Sequence, residues 1–293
     1  MSFPSICVFD SAEAAVRELA GEISELIRNR AREGRMAVLG LATGSTPLPL
    51  YQELVRLHRH QGLSFANVVS FNLDEYFGLA REHPQSYWAF MHRHLFDHID
   101  VPESHIHLPS GILPEADIAA HCAEYEARIR DAGGLDFQVL GIGGTGHIGF
   151  NEPGSPKDSR TRRVLLDELT RRDAASAFGG IDQVPTQAIT MGCGTILGAR
   201  RIVLLAWGPH KAAIVHTALS GPLTEQVSAS FLQEHPNTSF FLDRGAASAL
   251  ESLPAAIHSA AAALRKPLAP TMPVRQDAER CRQDGGAPRQ MRC

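Results

Sequence analysis

The sequence predicts an α/β protein with a doubly wound, mostly parallel sheet that carries helices on both faces. Four short segments are predominantly apolar, as strands covered on both faces are: Val38–Ala42, Val68–Leu73, Phe137–Ile142 and Ile202–Trp207. Segments with helical spacing of apolar residues alternate with these strands, which is the pattern of parallel strands joined by crossover helices. In such sheets, ligands bind at the carboxyl ends of the strands.

The other elements complete this pattern in chain order. Asp10 and Glu13 resemble a capping box, and the helix that follows them is predicted to run to about Asn29. Two shorter strands are predicted at Ala188–Met191 and Ser239–Leu242. The further predicted helices are Pro47–His60, Ser86–Ile99, Glu115–Asp131, Pro209–Leu219 and an alanine-rich helix at Pro254–Leu264.

The sequence predicts a single domain over residues 1–266. Within it, residues 156–182 are polar and rich in arginine, and a long excursion of this kind between strands predicts a lid or a solvated pair of surface helices. Residues 267–293 are rich in Pro, Gly, Arg and Gln and have few aliphatic residues, so we predict a disordered tail there.

Composition excludes several classes of protein. Of the 293 residues, 44% are hydrophobic and 20% are charged, and the formal net charge is −4, as in ordinary globular proteins. We expect neither a nucleic-acid nor a membrane partner, because no basic block and no apolar run of about 18 residues occurs. The N-terminus lacks the pattern of a signal peptide, and the five cysteines are scattered. These features predict a cytoplasmic protein and leave a homo-oligomer open.

The glycine-rich segment Gly141–Pro153, here called the catalytic loop, is the strongest indication of an active site. It follows a predicted strand and presents His147 and Glu152 within a few residues of each other. Glycines let the main chain approach a ligand closely, and an imidazole and a carboxylate are the usual groups of proton transfer. We therefore predict that His147 and Glu152 take part in catalysis.

The same loop contains a Gly-x-Gly-x-x-Gly pattern at Gly141, Gly143 and Gly146. A dinucleotide site requires a helix to begin within such a glycine run. Pro153 and Gly154 interrupt the chain where that helix would extend, since proline is not tolerated in a helix interior. We therefore predict neither a nicotinamide nor a flavin cofactor.

Two more loops at strand ends carry polar side chains. Thr43, Gly44, Ser45 and Thr46 offer hydroxyl and amide donors at a helix N-terminus, which suits a phosphate, although the Gly-Lys-Ser/Thr core of a P-loop is missing. Asp74 and Glu75 end the strand Val68–Leu73. Because adjacent side chains point in opposite directions on an extended chain, one carboxylate can face the site while the other makes a structural contact.

Lys211 and a cluster of three histidines are further candidates for binding a ligand or a metal. Lys211 lies early in a predicted helix, where it can reach a phosphate or remain a surface lysine. His92, His94 and His98 suggest a metal site, but the glutamate of the zinc-protease motif is absent between His94 and His98. We therefore predict no metal.

Taken together, these residues resemble the glucosamine-6-phosphate deaminase family over about residues 10–265. Each motif is short, but six of them occur in order with compact spacing. They are Leu41–Pro47, Phe71–Tyr76, Gly146–Pro153, Val184–Gly192, Gly208–Ala212 and Ser230–Asn237. The resemblance implies a Rossmann-like fold and conversion of glucosamine 6-phosphate and water to fructose 6-phosphate and ammonium, without a metal or organic cofactor.

The resemblance also implies a role for each site residue. His147 matches the residue that moves a proton during ring opening, and Glu152 matches the carboxylate that supports this histidine. Asp74 matches the base of the aldose–ketose isomerisation. The loop at residues 43–46 and Lys211 match the groups that hold the sugar phosphate.

Some positions depart from the family pattern. Thr145 stands where the best-known deaminases have an acidic residue or asparagine, and Ser176 stands at the position of a lid arginine, for which Arg171 or Arg172 could substitute. At the family's allosteric pocket Ser155 and Arg162 are retained, but Val164 replaces the expected lysine. Control by N-acetylglucosamine 6-phosphate is therefore left open.

Three alternatives stay open at this point. A galactosamine-6-phosphate deaminase would differ only in the epimer that it accepts, which the sequence does not resolve. A 6-phosphogluconolactonase has a different sequence after the histidine, so Asn151, Glu152 and Pro153 argue against it. A non-catalytic sugar-phosphate sensor would usually carry a DNA-binding element, and no helix-turn-helix is evident before Val38.

Overall fold

The computed structural model describes residues 4–250 and 257–259. They form one large parallel sheet and one small antiparallel sheet. The strands are β1 (Ser5–Phe9), β2 (Ala37–Leu41), β3 (Val68–Asn72), β4 (Asp74–Tyr76), β5 (Ile106–His107), β6 (Phe137–Leu140), β7 (Arg162–Leu165), β8 (Gln187–Thr190), β9 (Ile202–Ala206), β10 (Thr238–Asp243) and β11 (Ile257–Ser259). The α-helices are α1 (Ala12–Arg32), α2 (Leu48–Gln61), α3 (Tyr87–His94), α4 (Ile118–Asp131), α5 (Glu168–Phe178), α6 (Cys193–Ile196) and α7 (Ala212–Ser220).

The large sheet has the strand order β11-β1-β10-β9-β6-β2-β3-β5, and all of its described pairings are parallel. On one side β2 is followed in the sheet by β3 and β5, which are the next strands of this sheet along the chain. On its other side β2 pairs with β6, which comes later. The order therefore reverses between β2 and β6, which is the position where doubly wound sheets leave a crevice for ligands. The doubly wound parallel fold predicted from the sequence is confirmed.

Each face of this sheet is covered by helices. Side chains alternate along β2, so that Leu39 and Leu41 belong to the core beneath α1 and α2, whereas Val38 belongs to the core beneath α4 and α7. Burial on both faces explains why these strands are apolar throughout rather than alternating with polar residues.

The start of α1 differs from the expected capping box. Ser11, rather than Asp10, is the N-cap, and its hydroxyl accepts a hydrogen bond from the Ala14 amide at 3.3 Å. Ser11 has the extended backbone that an N-cap requires, so its side chain can satisfy an amide of the first turn. The helix continues beyond Asn29 to Arg32.

The alanine-rich helix predicted at Pro254–Leu264 is wrong for the three residues of it that the structure describes. Ile257–Ser259 form β11, which pairs in parallel with β1. The pairing satisfies the main-chain groups along the outer side of β1, and this outweighs the modest helix propensity of Ile, His and Ser at these three positions. The rest of that predicted helix and the predicted tail at 267–293 lie outside the described residues.

The small sheet was not predicted. It has the order β4-β8-β7, and both of its pairings are antiparallel. The strand predicted at Ala188–Met191 therefore belongs to this sheet, as β8. Within residues 156–182 the structure contains β7 and one helix, α5, rather than a pair of helices.

The helix α5 packs on the small sheet close to the catalytic loop. Phe178 at its end, Tyr76 of β4 and Phe150 of the loop share one apolar cluster. Among the described residues, no helix is both long and apolar enough to cross a bilayer.

Candidate active site

Four polar loops meet at one edge of the large sheet. They follow β9, β6, β2 and β3, which are four consecutive neighbours in the sheet. Because the strands are parallel, their carboxyl ends lie side by side. The loops carry Lys211, the catalytic loop, Thr43–Thr46 and Asp74, respectively. The structure thus brings every predicted site residue to the same edge.

The catalytic loop is held by its own hydrogen bonds. The Gly143 amide donates to the carbonyl of His147 at 3.0 Å, and the Phe150 amide donates to the Thr190 hydroxyl at 3.1 Å. The buried Asn151 side chain donates to the carbonyls of Ile148 and Met191, both at 2.8 Å. Such bonds fix the position of a loop that lacks regular secondary structure.

His147 is oriented by two oxygen atoms. Its Nδ1 lies 2.9 Å from the Thr145 hydroxyl and 3.0 Å from the Glu152 carboxylate. A carboxylate beside Nδ1 favours a proton on that nitrogen, which leaves the lone pair on Nε2 free to accept a proton. Gly143 makes room for this ring, because a Cβ there would overlap the imidazole.

Glu152 connects His147 to the helix α5. The carboxylate is buried, and its Oε1 accepts a bond from the Asp167 amide at the N-cap of α5, at 3.3 Å. Burial by itself would raise the pKa of Glu152, but the His147 imidazole and nearby donors outweigh it and lower the pKa below its ordinary value. Glu152 is therefore a carboxylate suited to stabilising a protonated His147.

Asp74 is a buried carboxylate on the other side of the catalytic loop. It is only 5% exposed, and a Cβ added at Gly149 would lie 3.4 Å from its Oδ2. Burial, and then the neighbouring charge of Glu75, raise the pKa of Asp74 well above its ordinary value. A carboxylate whose proton affinity is raised in this way is a stronger base than an exposed aspartate.

Glu75 has the structural role expected of one member of the adjacent pair. Its carboxylate accepts the amide hydrogens of Tyr76, Tyr87 and Trp88 at 2.8 to 2.9 Å. Burial raises the pKa of Glu75 to about 7, against the opposing effect of these three donors. Tyr87 and Trp88 begin α3, so Glu75 ties β4 to the N-terminus of that helix.

The loop Thr43–Thr46 connects β2 to α2. The Trp207 indole donates to the carbonyl of Thr46 at 3.1 Å, and the Tyr51 hydroxyl donates to the carbonyl of Ala42. Gly44 has φ of +102°, a left-handed backbone that favours glycine. The loop therefore has a defined shape, and its hydroxyls lie at the N-terminal end of α2.

Lys211 faces the catalytic loop. Its Nζ donates to the carbonyl of Ile142 at 2.8 Å, just before the loop glycines. Burial lowers the pKa of Lys211, while the carboxylate of Asp173 on α5 raises it. The ammonium group thus lies between the catalytic loop and the lid segment.

The two candidate lid arginines have other partners. Arg171 donates to the carbonyls of Ile181 at 2.9 Å and Val184 at 3.3 Å, and Arg172 pairs with Glu168 at 2.5 Å. Ser176 is exposed on α5. In this structure both guanidinium groups stabilise the lid segment itself.

Arg162, by contrast, reaches the catalytic loop. It donates to Asn151 Oδ1 at 2.9 Å and to the Ser155 hydroxyl at 2.8 Å.

The helix α3 ends at His94, earlier than predicted, so of the three histidines only His92 and His94 lie on it, and His98 lies in a separate 3-10 turn. The described contacts of these histidines are local. His92 pairs with Asp97 at 2.8 Å, and His98 lies 3.0 Å from the Arg59 guanidinium. Within residues 4–250 and 257–259, no group of three or more His, Cys, Asp or Glu side chains is arranged to hold a metal ion.

Sequence reasoning missed several residues around the site. The sequence singled out Thr145 but not its contact with His147, which could have been inferred from their separation of two residues in a glycine turn. Asp167, the N-cap of α5, and Asp173 on α5 could not have been inferred, because the docking of α5 depends on contacts distant in sequence.

The fold and the site together define a class of protein. This is a doubly wound α/β protein with a histidine–carboxylate pair, a second buried carboxylate and a hydroxyl-rich loop at one end of its sheet. Such an arrangement suits proton transfer on small, polar, anionic molecules.

Comparison with known proteins identifies the family within this class. Residues 10–240 match the family described as glucosamine-6-phosphate isomerases/6-phosphogluconolactonase, and the chain belongs to that family. A glucosamine-6-phosphate deaminase of Oceanobacillus iheyensis is 48% identical over 223 residues, which are 76% of this chain and 88% of the relative.

Two further similar proteins are matched over very different fractions of their own length. A putative glucosamine-6-phosphate deaminase-like protein of Bacteroides thetaiotaomicron is 41% identical over 239 residues, which are 82% of this chain but only 36% of that longer protein. A solved structure described as a monomeric glucosamine-6-phosphate deaminase of the NagB superfamily has a TM-score of 0.80 and 42% identity. The match covers 84% of this chain and 99% of that one.

Proposed function

We propose that this protein converts glucosamine 6-phosphate and water to fructose 6-phosphate and ammonium, by an aldose–ketose isomerisation coupled to deamination. The names of the relatives described above support this substrate. The observation that carries the proposal is the meeting of Asp74 with the catalytic loop of His147 and Glu152 at the carboxyl edge of the sheet.

His147 opens the pyranose ring. Its Nε2 removes the proton from the O1 hydroxyl and returns it to the ring oxygen as the C1–O5 bond breaks. Glu152 stabilises the imidazolium that forms between these two transfers, because its carboxylate lies 3.0 Å from Nδ1. The product is the open-chain amino aldose.

Asp74 then catalyses the isomerisation. Its carboxylate removes the proton from C2 and delivers it to C1. In the same isomerisation the C2 ammonium group loses one proton and the aldehyde oxygen O1 gains one, so that CH(NH3+)–CHO becomes C(=NH2+)–CH2OH, an iminium at C2. Water adds to C2 of this iminium and ammonia leaves, which gives the ketone of fructose 6-phosphate. The raised pKa of Asp74 suits it both to accept and to return the proton.

The phosphate of the substrate binds to Thr43–Thr46 and Lys211 in this proposal. The hydroxyls and amides of the loop donate hydrogen bonds, and the ammonium group supplies charge. Binding of this remote dianion contributes free energy that orients C1 and C2 toward Asp74. The helix α5 closes over the sugar as a lid, since its N-terminus contacts Glu152.

We also propose that the protein is cytoplasmic. The buried Cys7, Cys122 and Cys193 are free thiols, as expected in a reducing compartment. The substrate is a phosphorylated metabolite rather than an extracellular sugar.

Side-by-side assays test the proposed substrate. We expect the purified protein to release ammonium from glucosamine 6-phosphate without added metal, and to form fructose 6-phosphate in equal amount. Galactosamine 6-phosphate and 6-phosphogluconolactone serve as comparisons. A higher kcat/KM on either of them would replace the proposed substrate, and no turnover of any of the three would favour a non-catalytic sensor.

A further inference from the structure

A cavity of about 300 Å³ lies beside β5, and its lining does not include the loops of the candidate active site. Side chains from around α3, from residues 103–110 and from α4 form its wall. This volume is at the lower end of the range for small-molecule sites.

Two guanidinium groups face this cavity. Arg81 lies over the Trp88 indole, with its Cζ 4.1 Å from the ring centroid, and among the described residues no carboxylate forms an ion pair with it. Arg128 pairs with Glu124 at 2.6 Å, and its NH1 lies 3.5 Å from Nδ1 of His107. A stacked, unpaired guanidinium beside a second one is suited to binding an oxyanion.

The two histidines of the wall also present hydrogen-bond donors. His121 Nε2 accepts the Ser110 amide at 3.0 Å, so the neutral ring carries its proton on Nδ1. His107 Nδ1 faces a donor on Arg128, so its proton lies on Nε2. Burial, as the largest effect, lowers the pKa of both rings, and a bound anion would reverse this shift.

We propose that this cavity is a second ligand site, which binds the phosphate dianion of inorganic phosphate or of a small phosphate monoester. Its wall offers donors from two arginines, two histidines and the Ser104 hydroxyl. Its two carboxylates, Glu103 and Glu124, are both exposed. That of Glu124 accepts bonds from Nε and NH2 of Arg128, so NH1 is the Arg128 donor that remains for a ligand. The site goes beyond the proposed reaction and does not depend on it.

The wall of the cavity is bonded to the segment that carries Asp74. The Trp88 amide donates to Glu75 at 2.9 Å, directly beside Asp74. The Tyr125 hydroxyl donates to the carbonyls of Asn72 at 2.7 Å and His107 at 3.2 Å. A ligand that moves Trp88 or Tyr125 therefore acts on both flanks of Asp74, which makes the site suited to regulation.

Fluorescence of Trp88 tests the proposal. The chain has two tryptophans, so Trp207→Phe leaves Trp88 as the sole emitter. We expect a saturable change in Trp88 emission when inorganic phosphate is titrated into this variant. Adding Arg81→Gln, or separately Arg128→Gln, should raise the Kd at least about tenfold, because each removes a charged donor. Arg130→Gln is the matched control on α4, since Arg130 is exposed and does not line the cavity.

Lys211→Ala in the same background separates this cavity from the candidate active site. The Kd that Trp88 reports should not change with it. Glucose 6-phosphate and glucose distinguish the possible ligands. Tighter binding of glucose 6-phosphate than of inorganic phosphate identifies a monoester site, and equal or weaker binding identifies a site for inorganic phosphate itself. Glucose, which has no phosphate, should give no response. The absence of a saturable response, an unchanged Kd in both arginine variants, or loss of the response in Lys211→Ala would each overturn the proposal.

Discussion

At the scale of single residues, Asp74 is placed where its charge is costly. The carboxylate is buried beside Glu75, and no cation forms an ion pair with it among the described residues. Natural sites often sacrifice stability in this way to obtain a reactive group.

The pH dependence of stability should reflect this cost. The pKa of Asp74 is raised in the folded state. At pH values between the ordinary carboxyl pKa and this raised pKa, Asp74 is therefore protonated in the folded protein and ionised in the unfolded chain. The contribution of Asp74 to stability is therefore lost as pH rises through that window. Asp74→Asn should increase the free energy of unfolding at pH 7 by about 0.5 to 2 kcal/mol and have a smaller effect near pH 4. Urea unfolding at both pH values measures this, and a less stable variant at pH 7 would contradict it.

Glu152 should affect the rate more than the binding of substrate. Glu152→Gln keeps an oxygen near Nδ1 of His147 but removes the charge that stabilises the imidazolium. We expect kcat to fall by about 10²- to 10⁴-fold with KM nearly unchanged. The matched control is Glu168→Gln, since Glu168 is exposed on α5 and pairs with Arg172. An unchanged kcat would mean that His147 does not require this partner.

For single residues, the sequence predicted the roles of the site side chains better than it predicted the residues that they contact. Alternation along an extended chain predicts that Asp74 and Glu75 differ in role, and the structure shows Glu75 bonded to three amides. Two of those amides belong to Tyr87 and Trp88, beyond an irregular loop, so no local pattern could have indicated them.

At the scale of elements, the lid segment is attached through aromatic packing. Phe178 meets the Tyr76 ring edge-on, with 5.2 Å between the centroids, and it stacks near His83 at 6.2 Å. Tyr76 ends β4, which begins with Asp74. The docking of α5 is therefore connected to the segment that carries the proposed base.

Phe178→Ala should loosen this docking. Aromatic pairs contribute about 0.5 to 1.5 kcal/mol beyond their buried area, so we expect KM for glucosamine 6-phosphate to rise about three- to tenfold. Steady-state kinetics measures this, with Ser176→Ala on the exposed part of α5 as control. Equal KM values for the two variants would show that the packing of Phe178 does not govern lid closure.

Prediction of elements succeeded for most strands that are buried on both faces, such as Val68–Asn72 and Ile202–Ala206. It missed β1, although Ser5–Phe9 is largely apolar and buried. It failed for β7, whose residues are half-buried or exposed and include two arginines. It also failed for β4, which has three residues and exists because β8 pairs with it.

At the scale of the whole molecule, the amino ends of the strands form a structural cluster opposite the site. Asp136, just before β6, accepts bonds from the Val38 amide at 3.1 Å and from Arg200 at 3.0 Å, and it pairs with the buried Arg30 of α1. One carboxylate thereby joins α1, β2, β6 and the start of β9.

Asp136→Asn should lower stability without altering the chemistry. Removing the carboxylate leaves the buried Arg30 with only the exposed Glu33, at 3.5 Å, as a partner, which costs up to about 3 to 5 kcal/mol. We expect this loss in the free energy of unfolding, while kcat/KM of the folded enzyme stays within about twofold. The exposed Asp131→Asn is the control and should leave stability unchanged. A loss of kcat/KM with intact stability would place Asp136 in the site instead.

The central claim is that Asp74 works with His147 and Glu152 on one amino sugar phosphate. Its most direct test is the rate of ammonium release by Asp74→Asn, measured together with the Kd of glucosamine 6-phosphate for the same variant. We expect the rate to fall at least about a hundredfold while the Kd changes by less than about threefold. The asparagine amide keeps the shape of the site but cannot remove the C2 proton. Near-normal ammonium release by this variant would contradict the account.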